Sequence, residues 1–254
     1  MTAELVVFAE GSRHLDQRGV DDFQVLWSTD IPHLLGLKLP RLVVPFSKAS
    51  FLAMDNHKAA LAAPFDVLFA QHIRAGDVAV VVWDLKPSWN KKLLRTKWDE
   101  ALRFHERMAA SLRVPEPFKA FFSRRAREMK ERTQPCQPRS APAPHAGTAW
   151  AACVDPEFEA ALGGQSAVRE LFQLQGRLPP GPGDDPEDQL EFWVRWATGE
   201  GKNQTRPPLH LPFKQAKHRW ARELLATRHN RTVFRTHALG TRLRAVWPTP
   251  RVSR

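Results

Sequence analysis

Residues 77–83, DVAVVVW, decide how this chain is read. The run is apolar with no polar alternation, the pattern of a strand covered on both faces. It ends at Asp84-Leu85-Lys86-Pro87. Toward the N-terminus, ELVVFA (4–9) and RLVVPF (41–46) have the same character, and Pro45 marks the end of the second or a sheet edge. Helical patterns separate these runs. Residues 20–36 read as helical at first, with Pro32 limiting continuity. Residues 57–74 read as a helix with Pro64 as its kink or boundary and Gly76 closing it as a C-cap. Strand and helix thus alternate through the first 87 residues. That order predicts an α/β fold built on a parallel sheet flanked by helices.

Downstream, residues 91–113 predict an amphipathic helix, with Leu94, Trp98, Ala101, Leu102, His105, Met108 and Leu112 on one face. Residues 117–132 predict a basic helix, and 133–147 (TQPCQPRSAPAPHAG) a Pro-rich exposed linker. AWAACV (149–154) reads as another strand. A helix is expected from about Pro156 to Leu174, with Glu157 and Glu159 at its positive N-terminal end. Residues 176–188 read as a turn-rich loop, and 189–198 and 213–228 as helices. The expected organisation is an α/β core at 1–132, the linker at 133–148, a continuation of the core at 149–200 and a basic, mainly helical C-terminal region at 201–254.

The net charge is +11, and its placement says more than its size. Residues 201–254 hold 13 Lys and Arg against one acid, Glu223, while the other 200 residues carry a net charge of −1. Such asymmetry predicts a polyanionic partner, nucleic acid first. Arg outnumbers Lys 26 to 12, which suits bidentate phosphate contacts and equally reflects a GC-rich genome. No apolar stretch approaches the ~20 residues of a membrane span. The first apolar run lacks the flanks of a signal peptide, and bulky apolar positions in the basic region are too sparse for a strong interfacial helix. Two cysteines, Cys136 and Cys153, make no disulfide framework. These features predict a soluble cytoplasmic protein. Tyr is absent, which excludes a tyrosine nucleophile, and no GxSxG, HExxH or P-loop pattern occurs.

In an open parallel sheet, functional groups collect at the carboxyl ends of the strands. The three N-terminal runs end at Glu10, near Ser47-Lys48, and at Asp84. Two carboxylates from neighbouring strand ends suit one Mg²⁺ or Mn²⁺, with Lys48 neutralising a phosphate. Bland readings stand beside these: Glu10 as a loop acid before a turn glycine, Asp84 as a plain strand end, Lys48 as a solvated lysine, and the tryptophans as packing.

The segments VVFAEG (6–11), LVVPFSK (42–48) and VAVVVWDLK (78–86) resemble the Toprim pattern of topoisomerases, bacterial primases and small ribonucleases. They resemble the compact Toprim-like proteins related to the OLD-family nucleases, and WAACVDPEFEAAL (150–162) resembles the strand and Glu-containing helix that follow in some of these. The resemblance implies a metal-dependent nuclease. Glu10 matches the family's general base or metal ligand, and Asp84 the first acid of its Asp-X-Asp metal pair. Position 86 departs from the pattern, with Lys86 where a second Asp belongs; Lys86 suits a phosphate instead. Asp155, Glu157 and Glu159 are candidates for the missing carboxylate. The resemblance also implies phage defence alongside an ATPase partner, and a homo-oligomer stays open. In the basic region, Lys214, Lys217, Arg219, Arg222, Arg228 and Arg231 are the candidate nucleic-acid contacts. One helix from residue 213 places Lys214, Lys217 and Arg228 near one face, with His218 and Arg222 close by. The alternative is a catalytically inactive Toprim-like subunit that binds nucleic acid or acts as a scaffold.

Overall fold

Four apolar segments pair side by side in a computed structural model of the chain, all parallel, in the order β2-β1-β3-β4. The structure describes residues 4–11, 17–54, 63–84, 91–131, 149–154, 164–182, 186–198, 213–236 and 238–247. The strands are β1 (Leu5–Glu10), β2 (Leu42–Phe46), β3 (Val78–Asp84) and β4 (Ala149–Val154), close to the sequence expectation. Pro45 lies on the edge strand and is exposed, where its missing N–H leaves no gap in a ladder.

The chain divides into two compact units that interleave along the sequence: Met1–Gly11, Leu37–Asp155 and Leu243–Arg254 form the first, Ser12–Gly36 and Pro156–Arg242 the second. The first unit contains the sheet with α3 (Lys48–Ala53), α4 (Phe65–His72), α5 (Lys91–Ala110) and α6 (Glu116–Lys130). Its core is aromatic. Phe8 of β1 stacks on Phe69 at 5.0 Å and meets Phe65 edge-on at 5.6 Å. Phe69 in turn meets Phe118 and Phe122 of α6. Edge-to-face pairs of this kind add to the area they bury. The amino-terminal rim of the sheet is tied by charge. Arg41 reaches Glu4 at 2.6 Å and Asp77 at 3.0 Å, linking the residues that precede three strands.

The second unit is helical: α1 (Gln17–Val25), a π-helical turn (Leu26–Asp30), α2 (Ile31–Leu35), α7 (Gly164–Leu171), α8 (Pro186–Thr198), α9 (Phe213–Leu225) and α10 (Arg228–Thr236). The final helix, α11 (Ala238–Val246), starts in this unit, and its residues from Leu243 belong to the first. Among the described residues, no helix is long and apolar enough to cross a membrane.

Several local expectations are corrected. Pro32 does not limit the helix, because the preceding π-helical turn directs the Ile31 N–H to Leu26 O, and Pro32 sits in the first turn of α2, where no N–H is required. Gly76 is not a helix cap. α4 stops at His72, Ile73 is extended, and Gly76 lies in a turn closed by Asp77 N–H to Arg74 O. Leu112 lies beyond the end of α5 and is exposed, while Phe104 is buried in its place. The expected 213–228 helix is two helices that break at Ala226-Thr227. The linker at 133–147, Lys86, Asp155, and Pro156 with Glu157 and Glu159 lie outside the described residues.

Candidate metal and phosphate site at the sheet rim

The rim is set by strand direction. β1 pairs in parallel with β2 on one side and β3 on the other, so the carboxyl ends of all three fall on one edge. Glu10 is the last residue of β1 and lies opposite Phe46, the last residue of β2. Lys48 opens α3 two positions after Phe46. Asp84 is the last residue of β3 and lies opposite Val154, the last of β4. The backbone therefore brings Lys48, Glu10 and Asp84 to one rim in that lateral order.

The position within the rim matters. From β1 the chain passes to β2 on one side and later to β3 on the other, which makes the β1–β3 boundary the topological switch point. Crevices at such points are where open α/β sheets take ligands. Glu10 and Asp84 flank that boundary. In register, Ala9 faces Val82, so position 84 stands one residue beyond the level of position 10 and has the other parity of the pleat. Glu10 is half-buried and engaged within the protein, and Gly11 N–H donates to Phe46 O at 2.9 Å, carrying the β1–β2 ladder past the strand end.

The chemistry of the donors suits a hard divalent cation, since carboxylate oxygens are what Mg²⁺ and Mn²⁺ prefer. The set is sparse: among the described residues, no three His, Cys, Asp or Glu side chains gather into a group that could hold a metal ion. Two carboxylates still fit Mg²⁺, which keeps several waters and takes the rest of its shell from substrate phosphate.

The basic C-terminal candidates are distributed over two helices, and the described ones differ in their partners. Arg219 of α9 donates to Glu223 at 2.8 Å. Arg222 donates to Asp22 at 2.6 Å and Asp30 at 2.7 Å, so its charge is used within the fold. His218 is buried against Phe23, with ring centroids 4.9 Å apart. Arg228 and Arg231 lie on α10 and are exposed, and Lys214 and Lys217 belong to α9. Sequence reasoning missed Asp22, Asp30 and Glu170, the acids that organise these cations; no local signal marks a partner some 200 residues away. Trp193 and Trp220 are buried, as the packing reading expects. No protein-family model, curated protein or solved structure matches the chain.

Proposed function

We propose that this protein is a Toprim-like, metal-dependent phosphodiesterase acting on DNA or RNA. The observation that carries this reading is the placement of Glu10 and Asp84 at the ends of adjacent parallel strands, either side of the switch point. Glu10 and Asp84 would hold Mg²⁺ or Mn²⁺. Such an ion, when bound, polarises a phosphoryl oxygen and lowers the pKa of bound water. Glu10, where it does not ligate the ion, would instead take the proton of the attacking water as general base. Lys48, and Lys86 beyond β3, contribute positive charge to the phosphate that is cut. Basic residues of the C-terminal region, in this reading, contact the phosphate backbone of the nucleic acid. Action beside an ATPase partner in phage defence is the biological setting that the Toprim and OLD resemblance suggests.

The experiment is a cleavage assay on labelled single-stranded and duplex oligonucleotides with Mg²⁺ or Mn²⁺, comparing wild type with Glu10→Ala and Asp84→Ala. Loss of cleavage by a factor of about 10² or more in both variants, with circular dichroism unchanged, is expected. Cleavage unaffected by either substitution overturns the site. A second reading has its own support in Lys86, which replaces a second metal-binding carboxylate with a cation. It makes the chain a catalytically silent nucleic-acid-binding or scaffolding subunit. Wild-type chain that binds oligonucleotides and never cuts them, alone or with added ATPase subunits, selects that reading.

A further inference from the structure

The excess positive charge of the chain is concentrated in its last fifth, yet the fold uses that charge unevenly. On α9 the described arginines are spent on internal acids: Arg219 on Glu223, and Arg222 on Asp22 and Asp30. On α10 three arginines reach the surface. Arg228, Arg231 and Arg235 are all exposed, and so is Thr232. At 100° per residue, these four positions fall within about 100° of arc, a single stripe. Arg235 is held in place by its Nε–H, which donates to Leu34 O at 3.1 Å. The opposite side of the helix is anchored. Phe234 and Asn230 are fully buried, and Asn230 Nδ2–H donates to Leu224 O at 2.8 Å.

The amino-terminal end of α10 is already occupied by the protein's own groups. Glu170 accepts from the backbone N–H of Arg228 at 2.6 Å and of His229 at 2.9 Å. Thr227 Oγ1 accepts from Asn230 N–H at 3.3 Å, the pattern of an N-cap. The first-turn donors are thus satisfied. Any anion that α10 recruits has to be met by the arginine side chains, along the length of the helix.

We infer that the exposed stripe Arg228–Arg231–Arg235 of α10 is the docking surface for the phosphate backbone of a nucleic-acid strand. From Arg228 to Arg235 the helix rises about 10.5 Å at ~1.5 Å per residue. Phosphates of one strand recur every ~3.4 Å of duplex axis, so the stripe spans about three of them. Arginine's planar fork pairs bidentately with phosphate oxygens, and Thr232 adds a hydroxyl to the same face. The contacts are to backbone alone, so they position a strand without reading its bases. This inference rests on the nucleic-acid reading of the chain but not on the rim site, since a silent rim leaves α10 unchanged.

The test is fluorescence anisotropy with the full chain and labelled 20-nucleotide single-stranded DNA, single-stranded RNA and duplex DNA, across a salt series in EDTA so that no cleavage occurs. Arg228→Gln/Arg231→Gln is compared with Arg74→Gln/Arg124→Gln, which removes the same charge from exposed positions of the first unit. Each lost duplex phosphate contact reduces the slope of log K against log salt by about 0.9, so the α10 pair should flatten it by nearly 2. The control pair should leave it near the wild-type value. Equal flattening by both pairs, or none by the α10 pair, overturns the inference. So does binding to polyglutamate in preference to every oligonucleotide. If wild type binds oligonucleotides in EDTA, the α10 pair weakens that binding as expected, and wild type still never cleaves with metal, the rim reading fails while the α10 surface stands.

Discussion

At the scale of single residues, His105 is the most sharply constrained titratable group. It is buried in α5, with Nδ1 2.7 Å from Ala101 O and its ring edge-on to Phe104 and Phe122. Burial pushes its pKa from 6.5 down to about 4; the hydrogen bond to Ala101 opposes that shift, Arg125 adds to it, and Glu128 opposes it. The unfolded chain therefore binds a proton that the folded one refuses between these values. Stability from this group is complete above about 6.5 and is lost as pH falls toward 4, by ~1.4 kcal/mol per pH unit and a few kcal/mol in all. Urea unfolding of wild type and His105→Phe across that window checks it: the wild-type stability should fall more steeply with acid by about one proton's slope. Arg222 makes a second residue-scale case. Arg222→Ala leaves Asp22 and Asp30 facing each other without their shared cation and should cost about 1–2 kcal/mol, since the group is one-third exposed and screened in part. Restoring stability with Asp22→Asn/Asp30→Asn in that background would show that repulsion is the cause. These two residues also mark a limit of sequence reading. His105 was legible as a core position because it recurs with Ala101 and Met108 at helical spacing along α5. Arg222 was not, because its acids lie in α1 and in the turn that follows, far away in sequence.

At the scale of elements, legibility followed the kind of signal each carries. β1, β3 and β4 declare themselves through unbroken apolar runs, and their ends place Glu10 and Asp84 within a residue of where the runs stop. Helix ends were harder. Nothing like Gly or Pro separates α9 from α10; the break comes from Thr227, whose hydroxyl donates to Leu224 O at 2.7 Å and whose oxygen caps Asn230. A cap of this kind reads in sequence as an ordinary helical threonine. The junction between α10 and α11 depends on a glycine for a steric reason. A Cβ at Gly240 would collide with Phe234 O, a backbone atom that cannot swing aside. Gly240→Ala should therefore destabilise the chain by about 1–3 kcal/mol or more. Gly76→Ala is the control, since nothing lies within 4 Å of its Cβ position and its turn needs no positive φ; it should change stability by no more than ~0.5 kcal/mol. Thermal melts of the two variants separate a packing effect from the general cost of replacing glycine.

At the scale of the molecule, the rim and the arginine stripe fall in different units. The rim that bears Glu10, Lys48 and Asp84 belongs to the first, while the exposed arginines of α10 belong to the second. Catalysis and strand holding are thus separable in the reading developed above, and a cation at the rim has a signature independent of cleavage. Anything bound by the folded chain and not by the unfolded one raises stability by RT ln(1 + [L]/Kd), about 2.7 kcal/mol at a hundredfold excess over Kd. For a chain of this size, each kcal/mol moves Tm by roughly 2–4 °C, so near-saturating Mg²⁺ or Mn²⁺ should raise the melting of the sheet by several degrees in calorimetry. Glu10→Ala and Asp84→Ala should each abolish most of that rise, while Arg228→Gln/Arg231→Gln should keep it, because its lost charges are on α10. A metal-induced rise that survives both rim substitutions would place the cation elsewhere and remove the physical basis for phosphodiester chemistry at the switch point. The arginine stripe would then remain as a surface without a catalytic centre to serve.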